Sequence, residues 1–280
     1  MVLGSVSHSI PFILIGWSFI FANQQVTKRF LSKILVGTSE TISTEKKFNQ
    51  WLGGVIDGDG YLGISKAGYT SLEITTTPED LPMLQRIMDR FGGTIKARSG
   101  SKSIRYRLMK KSQMIDLVNC INGNIHNSIR FAQFEKVCAI LQISLLSPCT
   151  LDYSNSWFSG MFDADGTVTL KTTGQITIGV TQKLNENIIA FERILGGNIY
   201  LDKSQNGYYK WQVQSKGDVL GILDYFKENP CYSLKSNRLL LIPRVISLLN
   251  DKYHLAPANS AQYKEWLLLV SDWTSSRYGP

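Results

Sequence analysis

Trp51-Leu-Gly-Gly-Val-Ile-Asp57-Gly-Asp59-Gly60 returns later in the chain as Trp157-Phe-Ser-Gly-Met-Phe-Asp163-Ala-Asp165-Gly166, at an offset of 106 residues. The aromatic, the small residues, the apolar pair and the Asp-x-Asp-Gly ending coincide position for position. A lone Asp-x-Asp-Gly reads as turn chemistry, because aspartate before glycine is common where a helix stops. Two copies in matched apolar helices read instead as a duplicated element that brings two carboxylates together. Such a pair repels unless a cation lies between the groups or one of them takes a proton.

The duplication extends downstream. Ile87-Met-Asp-Arg-Phe-Gly92-Gly93-Thr-Ile95 is answered by Phe191-Glu-Arg-Ile-Leu-Gly196-Gly197-Asn-Ile199, and Arg105-Tyr-Arg-Leu108 by Lys210-Trp-Gln-Val213. Within the first copy, 48–56 reads as a helix that the Asp-Gly-Asp-Gly segment ends, since glycine sustains a helix poorly. Alternation predicts strand pairs at 61–66 with 71–77 and at 93–98 with 103–109. Helices are expected at 79–91, 113–121 and 130–141. The order is α-β-β-α-β-β-α-α, and 157–250 repeats it. The expected division is a leader (1–45), a first repeat (46–143), a linker (144–155), a second repeat (156–250) and an extension (251–280) with a closing helix at 263–273.

Bulk properties narrow the classes. The 280 residues are 43% apolar and 19% charged, as in an ordinary globular protein. The formal charge of +8 favours a polyanionic partner, nucleic acid first and an anionic membrane second. Cys120, Cys138, Cys149 and Cys231 form no C-x-x-C pair and are expected to be reduced, mostly buried thiols. His8, His126 and His254 lie far apart in the sequence, which argues against a histidine-based metal site and leaves catalysis to carboxylates. The apolar run 10–22 is shorter than the roughly 20 residues that span a bilayer, and no basic residues precede it as in a secretory signal. It is expected to be a leader without a membrane role.

The strand pairs carry a second functional signal. Lys96, Arg98, Arg105 and Arg107 fall on alternate positions, hence on one sheet face, with apolar residues on the other. In the second copy Lys210, Gln212 and Gln214 alternate with Trp211 and Val213, and Gln175 and Thr177 with Ile176 and Ile178. Lys66, Lys171 and Lys203 complete the candidate face. Arginine or lysine reads guanine edges, glutamine reads adenine and threonine contacts either. A solvated outer face would show the same alternation, but the duplicated carboxylates favour DNA.

If the repeated helices pair through Gly53, Gly54, Ser159 and Gly160, their C-terminal ends meet and Asp59 and Asp165 converge. Mg²⁺, a hard ion that accepts carboxylates, carbonyls, waters and phosphate oxygens, suits that pair, with Mn²⁺ as a substitute. The chemistry would be metal-assisted phosphodiester hydrolysis, with one cut per half-site. Asp57 and Asp163 sit two residues earlier and are assigned to structure.

At these residues the chain resembles the LAGLIDADG homing endonucleases of the two-motif, single-chain type encoded by organellar group I introns. The resemblance spans about 46–250 and implies an α+β fold: two pseudo-twofold-related α-β-β-α-β-β-α repeats with a saddle of antiparallel strands. It implies a monomeric, site-specific, Mg²⁺-dependent endonuclease that cuts double-stranded DNA with staggered ends and serves intron mobility. The alternative it carries is a maturase that binds group I intron RNA, alone or in addition to cleavage. It places the metal-binding acids at Asp59 and Asp165, with the carbonyls of Gly58 and Ala164 completing the ligand sets. It places a catalytic basic residue at Lys235 in the second copy. The first-copy counterpart, His126-Asn127-Ser-Ile-Arg130-Phe, has no lysine, and Asn127 is a weak candidate there. An organelle, the mitochondrion before the chloroplast, is the implied location.

Overall fold

The computed structural model describes residues 42–275 except 205 and 206. The run 10–22 therefore lies outside the described residues. The chain divides into two units, Met1–Lys46 and Lys47–Pro280, and apart from the first residues of the opening helix the second holds everything discussed below.

Helix α1 (42–59) passes without a loop into β1 (Gly60–Ile64), followed by β2 (Thr70–Thr76), α2 (Leu81–Phe91), β3 (Thr94–Ala97), β4 (Ile104–Leu108), α3 (Lys111–Ile121) and α4 (Ser128–Leu141). The second repeat follows with α5 (Trp157–Asp165), β5 (Gly166–Leu170), β6 (Ile176–Gln182), α6 (Ile189–Leu195), β7 (Asn198–Asp202), β8 (Tyr208–Val213), α7 (Lys216–Glu228) and α8 (Lys235–Asn250); α9 (Ala261–Ser275) closes the described chain. The α+β order matches the expectation. Both ends of the first helix differ: α1 begins at 42, inside the expected leader, rather than at 48, and continues through Asp57-Gly58-Asp59 instead of stopping at Ile56. Glycine's weak helix propensity is overridden because α5 packs where a Gly58 side chain would lie.

Each repeat folds its strands into an antiparallel four-stranded sheet, β1-β2-β4-β3 and β5-β6-β8-β7. Period-2 alternation sends Leu72, Ile74, Tyr106 and Leu108 of the first sheet, and Ile178, Val180, Trp211 and Val213 of the second, into separate apolar cores. Residues 144–155 contain no helix or strand. This stretch is nevertheless tied to the second repeat, since Tyr153 Oη donates to Gly221 O at 3.0 Å and Tyr225 Oη to Asn155 O at 2.6 Å. The four cysteines are free thiols, but only Cys138 is buried; Cys120 and Cys231 are half-buried and Cys149 is exposed, against the expectation of mostly buried thiols.

Candidate active site

The two motif helices meet backbone to backbone. A Cβ on Gly54 would sit 2.1 Å from Trp157 O, and one on Gly160 would sit 1.9 Å from Trp51 O. Further along the seam, a Cβ on Gly58 would sit 2.3 Å from the Ala164 Cβ and 2.9 Å from Asp165 Oδ2. The small residues are therefore a steric requirement of the approach, and they bring the helix ends bearing Asp59 and Asp165 together.

Asp57 and Asp163 brace that seam across the pseudo-dyad. Trp157 Nε1 donates to Asp57 Oδ2 at 2.7 Å, and Trp51 Nε1 donates to Asp163 Oδ2 at 2.8 Å. Asp57 Oδ2 also accepts from His126 N at 2.7 Å. Asp163 accepts from Tyr232 N, Ser233 N and Ser233 Oγ. Each carboxylate thus ties its own helix to the partner motif and to the chain entering α4 or α8. Ser233 is itself buried in this network.

A cation stands at each half-site. Lys235 Nζ donates to the carbonyl oxygens of Asp163 and, at 2.7 Å, Ala164. Arg130 Nη2 lies 3.5 Å from Gly58 O. The register is fixed one turn later: Gln133 Oε1 accepts from Leu62 N, and Arg238 Nη1 donates to Val168 O. Arg130 and Lys235 are therefore counterparts at an offset of 105. Asn127 instead caps α4, accepting from Ile129 N and Arg130 N, while its Nδ2 donates to Asp57 O. Sequence reasoning sought a lysine and passed over an arginine at the same offset.

The electrostatics are those of crowded acids. Burial, then the charges of Asp165 and Asp80, push Asp59 up to about 7, against the pull of Lys235 and Arg130. Burial also raises Asp165, opposed by Lys235, by a hydrogen bond from Gln182 and by Arg130. Gln182 Nε2 donates to Asp165 Oδ2 at 2.6 Å, and Asp59 has no such tether among the described residues. Gln182 is a further residue that the sequence did not single out, because its strand position looks merely polar. Asp59, Ala164, Lys235, Arg238, Asp80 and neighbouring threonines line a cleft of about 520 Å³. The available donors are carboxylate and carbonyl oxygens, a set that suits a hard divalent cation. Among the described residues no three of His, Cys, Asp and Glu cluster as a metal site, so bound water or a ligand would have to complete any coordination sphere.

The exposed sheet faces are less uniform than the sequence predicted. Lys96 is exposed, but Arg105 and Arg107 are paired with Glu73 at 3.0 and 2.5 Å. Lys210 is paired with Asp202 at 2.5 Å, which holds the Asp202 carboxyl well below its ordinary range. Gln175 accepts from Lys171 and donates to Gln214, whose amide donates to Gln212. Thr177, predicted to face a ligand, is buried, and its hydroxyl finds no partner among the described residues. Lys66, Arg98, Lys171 and Lys203 are exposed at the strand ends and turns. Lys96, Arg98, Arg105 and Arg107 line an open trough of about 500 Å³.

Comparison with known proteins places this architecture. Residues 158–246 match the model of the LAGLIDADG endonuclease family. An intron-encoded DNA endonuclease of Dictyostelium discoideum, ai2a, is 32% identical over 240 residues, which cover 82% of this chain and 76% of the relative. The chain belongs to the LAGLIDADG endonuclease family. The intron-encoded RNA maturase bI4 of Saccharomyces cerevisiae is 44% identical over 260 residues, 91% of this chain. The chain spans only 40% of that relative's length. The LAGLIDADG fold is shared with two solved structures. One is the homing endonuclease I-LtrWI bound to target DNA (TM-score 0.59, 15% identity, 82% of this chain and 98% of that one). The other is I-SmaMI bound to an uncleaved DNA target with calcium ions (TM-score 0.58, 15% identity, 82% and 99%). Among the described residues no helix is long and apolar enough to cross a membrane.

Proposed function

We propose that this LAGLIDADG chain is a site-specific endonuclease that hydrolyses one phosphodiester bond in each strand of a DNA duplex, leaving staggered ends. The observation that carries the reading is the meeting of Asp59 and Asp165 across the glycine seam, with a cation over the backbone of each motif. Asp59 and Asp165, helped by the carbonyls of Gly58 and Ala164, would hold Mg²⁺ or Mn²⁺. The bound metal would activate water and stabilise the leaving 3′ oxygen. Lys235 stands beside the second motif and Arg130 beside the first. Both lower the proton affinity of the acids and so favour the ionised forms that bind metal. The glycine seam holds the acids in place without reorganisation, and the Trp51–Asp163 and Trp157–Asp57 bonds lock it.

The exposed sheet faces would lie along the major groove as a saddle, with Lys66, Lys96, Arg98, Arg105, Arg107, Lys171, Gln175, Lys203, Lys210, Gln212 and Gln214 contacting phosphates and base edges. Thr177 would act through packing rather than contact. The working unit would be a monomer built from repeats 46–143 and 156–250 joined by 144–155. The intron-encoded relatives support a role tied to an intron; the resemblance adds group I intron mobility in an organelle, the mitochondrion first. Their maturase member supports a second reading, in which the same chain binds intron RNA. Incubating the full chain with a DNA library, with Mg²⁺ and with EDTA, and sequencing the ends tests the proposal. Discrete metal-dependent staggered cuts that disappear in Asp59→Asn and Asp165→Asn are expected. Intact DNA throughout, or cuts that survive both substitutions, would refute it.

A further inference from the structure

Glu73 interrupts the basic face of the first sheet. Strand register places it at the centre of a cross-strand row, Tyr61–Glu73–Arg107–Thr94, beside the row Thr75–Arg105–Lys96. One carboxylate oxygen meets Arg107 at 2.5 Å and the other meets Arg105 at 3.0 Å. The matching row of the second sheet is Thr167–Gly179–Gln212–Asn198. No side chain fits at its centre, since a Cβ on Gly179 would lie 2.7 Å from Trp211 O and 3.0 Å from Gln212 Cγ. A fixed acceptor at the centre of the face is therefore built into one half only.

Stability gives only a small reason for it, although the Glu73 side chain itself is 23% exposed and bridges both arginines. The two arginine side chains are 28% and 44% exposed, and ion pairs so open to water contribute little. On a face meant for a polyanion, an added negative charge also weakens binding unless it accepts a hydrogen bond there. Each guanidinium carries five donors and each carboxylate oxygen two lone pairs, so the triad retains donors flanking an acceptor. In the major groove a glutamate accepts from the cytosine N4 amine, and arginines read guanine O6 and N7. Thymine and guanine would turn a carbonyl oxygen toward the carboxylate instead, and adenine sets its N7 lone pair beside its amine, against the same carboxylate.

Resting on the DNA-cleavage reading above, we infer that Glu73 is a specificity determinant that requires a cytosine amino group in the half of the target beneath the first sheet. Arg105 and Arg107 are held beside it for neighbouring guanine edges. The carboxylate matters through its acceptors, which a glutamine amide replaces only in part.

The test is selection of bound duplexes from a randomised library by the full chain and by its Glu73→Gln and Glu73→Ala variants, with each selected site then titrated against salt. The wild type should select cytosine at one position of one half-site. Both variants should lose that preference by roughly tenfold or more, leaving the other half-site unchanged. Tighter binding to all sequences with unaltered base preferences would make Glu73 a general charge and overturn the inference. So would a wild-type site with no selected cytosine in that half. Absence of any selected sequence with the wild type would overturn the DNA reading itself, and the inference with it.

Discussion

Gly160→Ala should destabilise the protein although helix propensity predicts the opposite. Alanine is favoured over glycine inside a helix by about 1 kcal/mol, and Gly160 lies within α5. The added methyl would sit 1.9 Å from Trp51 O, 2.8 Å from Trp51 C and 2.9 Å from Val55 N. Carbon and oxygen atoms approach no closer than about 3.3 Å in favourable contacts, so the helices must part by more than about 1 Å. The obstructing atoms are backbone and cannot rotate away. Overpacking of this sort costs about 1–3 kcal/mol, and a rigid backbone puts the case at the upper end, leaving a net loss of about 2 kcal/mol after the propensity gain. Gly221→Ala, in α7, is the control: its Cβ would meet nothing within 4 Å, so the propensity gain of about 0.5–1 kcal/mol should stand alone. Urea denaturation of the two variants checks the pair. With a slope of about 2 kcal/mol per molar, the Gly160→Ala midpoint should fall by about 1 M while that of Gly221→Ala rises. A Gly160→Ala midpoint equal to or above the wild type would refute the account of the seam.

Three further outcomes follow from the same site. Trp157→Phe should destabilise more than Trp51→Phe. Asp57 Oδ1 has no partner among the described residues, and losing Trp157 strips one of the few donors to Asp57. Asp163 keeps Ser233 and Tyr232. The loss of a bond to a buried carboxylate is about 1.5–3 kcal/mol, and the reverse order in chemical denaturation would contradict the bracing role. Burial lowers His126 to about 4 from 6.5. Because the folded value is the lower one, the unfolded chain binds the proton first as pH falls from 6.5 to 4. The contribution is whole above 6.5 and is lost over that window, about 3 kcal/mol at most. His126→Gln should flatten this part of the stability–pH profile relative to wild type, and parallel profiles would show the imidazole to be solvated. Lys235→Met and Arg130→Met should slow the nicking of opposite strands, each by about 10- to 100-fold. End-labelled duplexes report this directly, and slowing of the same strand by both would disprove one cation per half-site.

Much of the fold was legible because it is written locally. The Trp-to-Gly motif, repeated at an offset of 106, announced the duplication, and period-2 alternation announced each hairpin. The seam was legible at Gly54 and Gly160, but Gly53, expected in it, packs instead against Asn124. The end of α1 was misread because propensity concerns an isolated helix, whereas Gly58 belongs to a helix pressed against Ala164. Arg130 was overlooked because only the pairs Gln133–Leu62 and Arg238–Val168 reveal the register of the two repeats.

By itself, the sequence determined the two repeats, the strand pairs and the repetition of the Asp-x-Asp-Gly segment, all of which depend on spacing along the chain. Only the tertiary structure decided that Asp57 and Asp163 hold the opposite motif's tryptophans, that Arg130 answers Lys235, that Gln182 tethers Asp165 and that Glu73 occupies two arginines. The reason is physical. Spacing dictates which face a side chain takes, but hydrogen bonds and charge pairs depend on ångström-scale distances between residues that chain separation does not encode.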